Sequence, residues 1–156
     1  MQALELRIPP LAVVLIAASL MALIAYLVPI GVPIGVPIPA AELLAGVFVL
    51  TGALIAAAGV VAFRRNETTV NPFTPERSSS LVASGIYRYT RNPMYLGFFL
   101  ALVGWAALLS NLLALMLLPV FIVYMNRFQI QPEERALEQH FGAAYRTYIH
   151  QVRRWL

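Results

Sequence analysis

Residues Asn92 to Asn126 read NPMYLGFFLALVGWAALLSNLLALMLLPVFIVYMN and contain no charged side chain. A helix needs roughly 20 apolar residues to cross the hydrocarbon of a bilayer. The stretch is therefore too long for one crossing and too apolar for an exposed loop. Its polar interruption at Ser110-Asn111 predicts two spans, at about 94–110 and 112–130, closed into a tight antiparallel hairpin. Working outward, two more apolar runs qualify. One covers about 10–28. The other covers about 41–63, with a single charge, Glu42, at its start. The run from Leu11 to Val28 is 18 residues long, longer than a typical signal-peptide core, and no basic cluster precedes it, so it reads as a retained span. The expected fold is all-α: one polytopic membrane domain over 1–156 with four transmembrane helices and an amphipathic helical tail at 131–156.

Composition agrees. Of 156 residues 60% are hydrophobic and 12% charged, where a soluble domain carries about a quarter charged. All eleven basic residues are Arg and all seven acidic ones are Glu, for a net charge of +4. Arg7 precedes the first span. Arg64, Arg65, Arg77, Arg88 and Arg91 lie between the second and third. Arg127, Arg135, Arg146, Arg153 and Arg154 end or follow the fourth. An even number of spans puts every one on the same side, which the positive-inside rule makes cytoplasmic, with both termini. No basic stripe on a soluble domain points to nucleic acid. Cysteine is absent and only His140 and His150 are present, so no metal site is expected. Between the first two spans, Val28–Pro39 repeats VPIG with Pro29, Pro33 and Pro37. It reads as an uncharged extracytoplasmic connector that blocks a regular helix.

Two polar segments remain, the loop 64–93 and the tail. In the tail, Pro132 suits the first turn of a helix, followed by Glu133 and Glu134, where the dipole favours acidic groups. Gly142 is expected to break that helix. Tyr145, Tyr148, Ile149 and Val152 then recur at helical spacing, giving a face suited to lie in the interface. Glu133 and Glu134 point about 100° apart on a helix, so one can bind a ligand while the other pairs with Arg. In the loop, Gly85-Ile-Tyr-Arg-Tyr-Thr-Arg-Asn-Pro-Met-Tyr-Leu-Gly97 ends on a helix start. Asn92 can cap it, and free amides there suit an anion. Tyr87 and Tyr95 offer flat faces for a nucleobase or a cation, and Gly97 lets another backbone approach. The same residues also read as an interfacial aromatic belt, an N-cap and a packing glycine.

The stretch from about Asn71 to Trp155 resembles the isoprenylcysteine carboxyl methyltransferase and phospholipid methyltransferase superfamily. The matching residues are Leu81-Val82, Gly85-Ile-Tyr87, Arg91-Asn-Pro-Met-Tyr95, Gly97, Pro132-Glu-Glu134, Leu137, Phe141-Gly142 and Tyr145-Arg-Thr-Tyr148. The resemblance implies S-adenosylmethionine as methyl donor, bound by Leu81, Val82, Tyr87, Asn92, Pro93, Met94, Tyr95 and Glu133, with Glu134 included as part of the motif and Ser79 and Ser80 extending the loop. It implies a lipophilic or lipid-modified acceptor oriented by Arg127 and Gln129, with Glu134 as the nearest base. The acceptor stays open between a carboxylate of isoprenylcysteine type and a lipid amine. A non-catalytic membrane protein keeping the fold is the remaining alternative. Eukaryotic members carry His where this chain has Asn92, and Arg where it has Gln129. Nothing alternates strand and helix and no GxGxxG occurs, so a Rossmann-type donor site is not expected.

Overall fold

The computed structural model describes residues 5–28, 38–66 and 80–156. Among these the regular elements are all helical, as expected. The helices are α1 (Pro10–Leu27), α2 (Ile38–Arg65), α3 (Pro93–Leu109), α4 (Leu112–Leu115), α5 (Leu117–Met125), α6 (Gln131–Phe141) and α7 (Ala143–Gln151), with a short 3₁₀ turn at Gly85–Arg88 and one π turn at Asn126–Ile130. The repeat connector around Pro29, Pro33 and Pro37, and the loop part carrying Arg77 and Ser79, lie outside the described residues.

Three helical runs are long and apolar enough to cross a membrane: Pro10–Leu27, Ala40–Arg65 and Leu112–Phe141. The third expected span, α3, is shorter at 17 residues. Leu11, Leu15, Leu43, Leu50, Leu54, Val120 and Val123 are all exposed. Leucine facing outward along whole helices is the surface a lipid environment requires, because lipid tails are as apolar as the side chains.

What holds such helices together is close approach, and α2 and α3 achieve it with glycine. A Cβ on Gly52 would strike the Gly97 carbonyl, a Cβ on Gly97 would strike the Gly52 carbonyl, and one on Gly104 would lie 2.9 Å from the Ala45 carbonyl. Gly59 faces Pro93 in the same way. The pairs 59–93, 52–97 and 45–104 run in opposite senses, so α2 and α3 are antiparallel. Ala45, Gly52 and Gly59 recur every seven residues, the spacing of a left-handed seam.

α1 runs antiparallel to α4–α5. At one end Leu6 N–H donates to the Phe128 carbonyl at 3.0 Å. Midway, the Trp105 indole of α3 donates to the Ala18 carbonyl at 3.0 Å. At the other end the Asn111 amide donates to the Val28 carbonyl at 2.8 Å. The expected hairpin forms: Ser110 turns the chain in the left-handed region and the buried Asn111 side chain caps α4 by accepting from Ala114 N–H. One end of the bundle thus gathers the start of α1, the end of α2, the start of α3 and the end of α5, which are the arginine-bearing ends.

Two expectations change. The fourth span does not stop at Ile130 before a separate tail. It passes through the π turn directly into α6, with Gln131 N–H bonding the Asn126 carbonyl five residues back. The cause is Pro132. A helical proline removes one N–H and crowds the carbonyl four residues earlier, here that of Phe128. A π turn relieves the crowding, and the orphaned carbonyl takes the Leu6 N–H instead. Secondly, α7 does not leave its apolar face for the interface. Gly142, at φ +52°, turns the chain as expected, and Tyr145, Tyr148 and Val152 then bury against Leu81, Leu137 and Phe141.

Gly97→Ala is expected to destabilise the protein by about 1–3 kcal/mol, the usual cost of overpacking. Gly46→Ala, with nothing within 4 Å of a new Cβ, should be near neutral. Thermal unfolding in detergent compares the two.

Candidate functional site

The site assembles where α3 and α6 start side by side. Pro93 occupies the first turn of α3 and is buried. It points Tyr95 inward, and the Tyr95 hydroxyl donates to a carboxylate oxygen of Glu133. The 3₁₀ turn brings Tyr87 alongside. Its ring meets Phe63 of α2 edge-on at 5.3 Å, and its carbonyl accepts from the Tyr148 hydroxyl at 2.8 Å. Burial first, then the charges of Tyr148 and Glu133, push the Tyr87 hydroxyl well above its ordinary pKa. It therefore stays protonated beside Glu133. Val82 packs against Tyr87 and Ala62, Leu81 joins the α7 cluster, and the Ser80 hydroxyl donates to the Asn66 carbonyl at 3.1 Å. Met94 lies against Gly59.

The two glutamates have divided as two side chains 100° apart must. Glu133 carries one hydrogen bond among the described residues, from a phenol. Glu134 is gripped by two cations. Arg91 Nη1 is 3.0 Å from Glu134 Oε1, and Arg154 donates to both oxygens, at 3.0 and 2.6 Å. Both Glu134 oxygens are thus taken up by guanidiniums. Arg91 and Arg154 were not among the expected site residues. Arg91 stands inside the motif string. Arg154 is brought back only by the turn at Gly142. The Arg91 Nε is buried without a partner among the described residues. Tyr145, close by, has its hydroxyl pKa pushed up to about 12, first by burial and then by the Glu134 charge, with Arg91 opposing. An open cavity of about 210 Å³, lined by Arg91, Gln131, Glu134, Arg135, Glu138, Tyr145 and Ile149, lies beyond this grip.

Asn92 holds the N-cap position of α3 but its side chain makes no cap bond. Its amide donates to the Arg154 carbonyl at 2.9 Å. Together with the Arg91 N–H to Arg153 carbonyl bond at 3.0 Å, and the Trp155 indole N–H to Asn126 Oδ1 bond at 3.0 Å, it ties the last residues of the chain across the site.

Arg127 and Gln129 do not join this group. Arg127 Nη1 pairs with Glu5 Oε1 at 2.6 Å, and Arg135 takes the other Glu5 oxygen. Gln129 is fully buried, donates to the Ile8 carbonyl at 2.6 Å, and leaves its Oε1 without a partner among the described residues. Both therefore face the segment before α1. Glu5 was not foreseen, because no local signal connects residues so far apart.

The model of the phospholipid methyltransferase family matches residues 41–144. The chain belongs to that family. An uncharacterised protein of Haemophilus influenzae is 48% identical over 63 residues, 40% of this chain and 100% of that protein. A probable protein-S-isoprenylcysteine O-methyltransferase of Oryza sativa subsp. indica is 34% identical over 109 residues, 68% of this chain and 56% of that enzyme. Protein-S-isoprenylcysteine O-methyltransferase A of Arabidopsis thaliana is 29% identical over 106 residues, 68% and 54% of the two chains. The chain thus spans about half the length of these plant enzymes. No solved structure matches it. With its apolar helices and this family, the chain is an integral membrane protein.

Glu134→Gln is expected to cost about 1–3 kcal/mol, because it strips two guanidiniums of their counter-charge; the figure stays below that of a fully buried pair because Arg154 is a third exposed. Chemical unfolding in mixed micelles measures it. A second outcome concerns pH. The hydrogen bond from Arg127, against an opposing cost of burial, holds the Glu5 carboxyl below its ordinary range. A lowered carboxyl pKa stabilises the fold above the normal carboxylate range and loses that effect as pH falls through the folded value. The difference in melting temperature between the wild type and Glu5→Gln should be present at neutral pH and shrink as pH drops below about 4.

Proposed function

We propose that the protein is a methyltransferase that uses S-adenosylmethionine to methylate a lipophilic acceptor at the cytoplasmic membrane surface. Glu133 carries the reading: it is a partly buried carboxylate with a phenol partner and, among the described residues, no arginine, next to a glutamate that holds two. Such a group fits an ammonium or ribose hydroxyls. The unpartnered Arg91 Nε–H fits a carboxylate. Both features are what the amino-acid end of the donor requires. When bound, S-adenosylmethionine supplies an electrophilic methyl group on a sulfonium, which passes in one displacement to the lone pair of the acceptor.

This chain's own residues would then act as follows. Glu133 accepts from the donor's ammonium or hydroxyls. Tyr87 and Tyr95 offer ring faces. Leu81, Val82 and Met94 supply apolar walls, while Ser80, Asn92 and Pro93 shape the loop and helix start. Glu134 acts by positioning Arg91 and the C-terminal residues. Arg127 and Gln129 would orient the acceptor, which requires that Glu5 release Arg127. The site holds its reactants aligned and shields them from water.

The arginine-bearing ends gathered at one end of the bundle support four crossings with both termini cytoplasmic. The names of the plant relatives favour a prenylated-cysteine carboxylate as acceptor, a group already nucleophilic without proton removal. The description of the matched family, together with the neutral Gln129, favours the second reading, a lipid amine. An amine must lose a proton on methylation, and a group must be found to take it.

Purified protein should bind S-adenosylmethionine by calorimetry. Glu133→Gln should weaken binding roughly tenfold, the worth of one charged hydrogen bond, and Tyr95→Phe should weaken it less. Absence of binding in a folded, monodisperse sample would sink the reading. Donor labelled in its methyl group, incubated with total lipid extract or with a prenylated-cysteine peptide, distinguishes the two acceptors.

A further inference from the structure

Residues 153–156 cross from the start of α3 to the first turn of α6 and are bonded to both. On the α3 side, Arg91 N–H donates to the Arg153 carbonyl at 3.0 Å. The Arg154 carbonyl accepts from the Asn92 amide at 2.9 Å and from the Thr90 hydroxyl at 3.4 Å. Thr90 is fully buried, and its hydroxyl also accepts from Asn92 N–H at 3.2 Å. On the α6 side, the Arg154 guanidinium takes both oxygens of Glu134. Further on, the Trp155 indole donates to Asn126. Its ring meets Phe99, one helical turn along α3 from Tyr95, edge-on at 6.4 Å. These two helices supply Tyr95 and Glu133, so the segment bridges the walls of the proposed donor site.

The segment differs from those walls in what holds it. α7 is fixed by burial of Tyr145, Tyr148 and Val152 against Leu81, Leu137 and Phe141. The 3₁₀ turn is fixed by Tyr87 packing with Val82 and Ala62. After Val152 the fastenings are polar, apart from the Trp155 ring, and Arg153 and Leu156 are exposed. Arg154 is a third exposed, so water reaches its pair with Glu134. The open cavity lined by Arg91, Glu134 and Tyr145 brings water to the same ion pair from its other side. A polar contact exchanged for water contributes little net stability, whereas apolar burial has no replacement in water. Local opening is therefore expected here first. Opening is also required. Tyr87 and Tyr95 are each 5% exposed, so a nucleoside sulfonium reaches their rings only when a covering segment moves.

We propose that residues 153–156 form a strap, hinged after Val152, that lifts as a unit to let the methyl donor in and the demethylated product out, with the Arg154–Glu134 pair as its latch. Arg154 is then a positioning residue, which sets how often the site is open and touches neither reactant. The proposal rests on the donor reading of Glu133 and adds to it the route of exchange.

The test uses the full chain in uncharged detergent. Its first arm is hydrogen exchange on the ligand-free wild type, which needs neither a variant nor a donor. The Arg91 amide is bonded to the Arg153 carbonyl, and the Val152 amide to the Tyr148 carbonyl within α7. The Arg91 amide should be less protected than the Val152 amide by roughly tenfold or more, and high salt should lower the protection of Arg91 alone. The second arm is stopped-flow binding of S-adenosylmethionine and of S-adenosylhomocysteine. Arg154→Gln should raise the association and dissociation rates together, each by roughly tenfold, the worth of one charge-assisted hydrogen bond. Kd should change less than about twofold, because a gate acts on both directions alike. Arg154→Lys should bring both rates part of the way back. A residue that only supports the bound state would raise dissociation alone. Equal protection of the two amides, a rise in dissociation alone, or no change in either rate overturns the strap. Failure of the wild type to bind either molecule overturns the donor reading instead, and the hydrogen-exchange arm, which contains no donor, keeps the two failures apart.

Discussion

One carboxylate held by two guanidiniums, Glu134 between Arg91 and Arg154, joins the loop before α3, the first turn of α6 and the C-terminal residues. These three segments have no reason of their own to meet. The loop is polar, the tail is amphipathic, and neither shares the glycine seam that holds α2 to α3. Placing the charged trio close to the apolar zone makes each partner costly to leave alone. The grip therefore sets the position of the chain end over the site, with the Asn92 amide and the Trp155 indole completing the attachment. It also leaves Glu133, one residue earlier, turned toward Tyr95 and without a cation among the described residues.

Proline 132 exerts a second constraint of the same backbone kind. In a low-dielectric setting an unpaired carbonyl is expensive. Removing one N–H at the edge of the apolar zone therefore has consequences at a distance. The helix widens into a π turn, the Phe128 carbonyl finds a donor on the segment before α1, and Arg127 and Arg135 converge. The groups around Glu133 and around Arg127 lie on either side of this one residue. A turn of this type often marks a functional position in a helix, and here the physical steps from residue to site can be followed.

Much of this was legible from residue order. Apolar runs located α1, α2, α3 and the start of the last long helix to within a few residues, because a crossing helix must satisfy its own backbone and can hide few charges. Gly97 read as a point of close approach and Gly142 as a break, and both act so. The division of labour between Glu133 and Glu134 follows from their 100° separation. The partners did not follow. Glu134 takes Arg91 and Arg154, Arg127 takes Glu5, and Asn92 reaches the Arg154 carbonyl instead of capping its helix. Each of these joins positions far apart in the chain, and no local spacing encodes such a pairing.

The fate of the charge-free stretch from Asn92 to Asn126 shows the same boundary. By itself the sequence determined that this stretch turns back at Ser110-Asn111 and that its helices are apolar on every side, because hydrophobicity and turn chemistry are local properties. Only the tertiary structure decided what each end would meet. Its Tyr95 finds Glu133, its Asn126 finds Trp155, and its last helix runs on through a π turn that no apolar pattern announces. Those outcomes depend on which backbone groups are left unsatisfied once the helices pack, a quantity that exists only when the whole chain is folded.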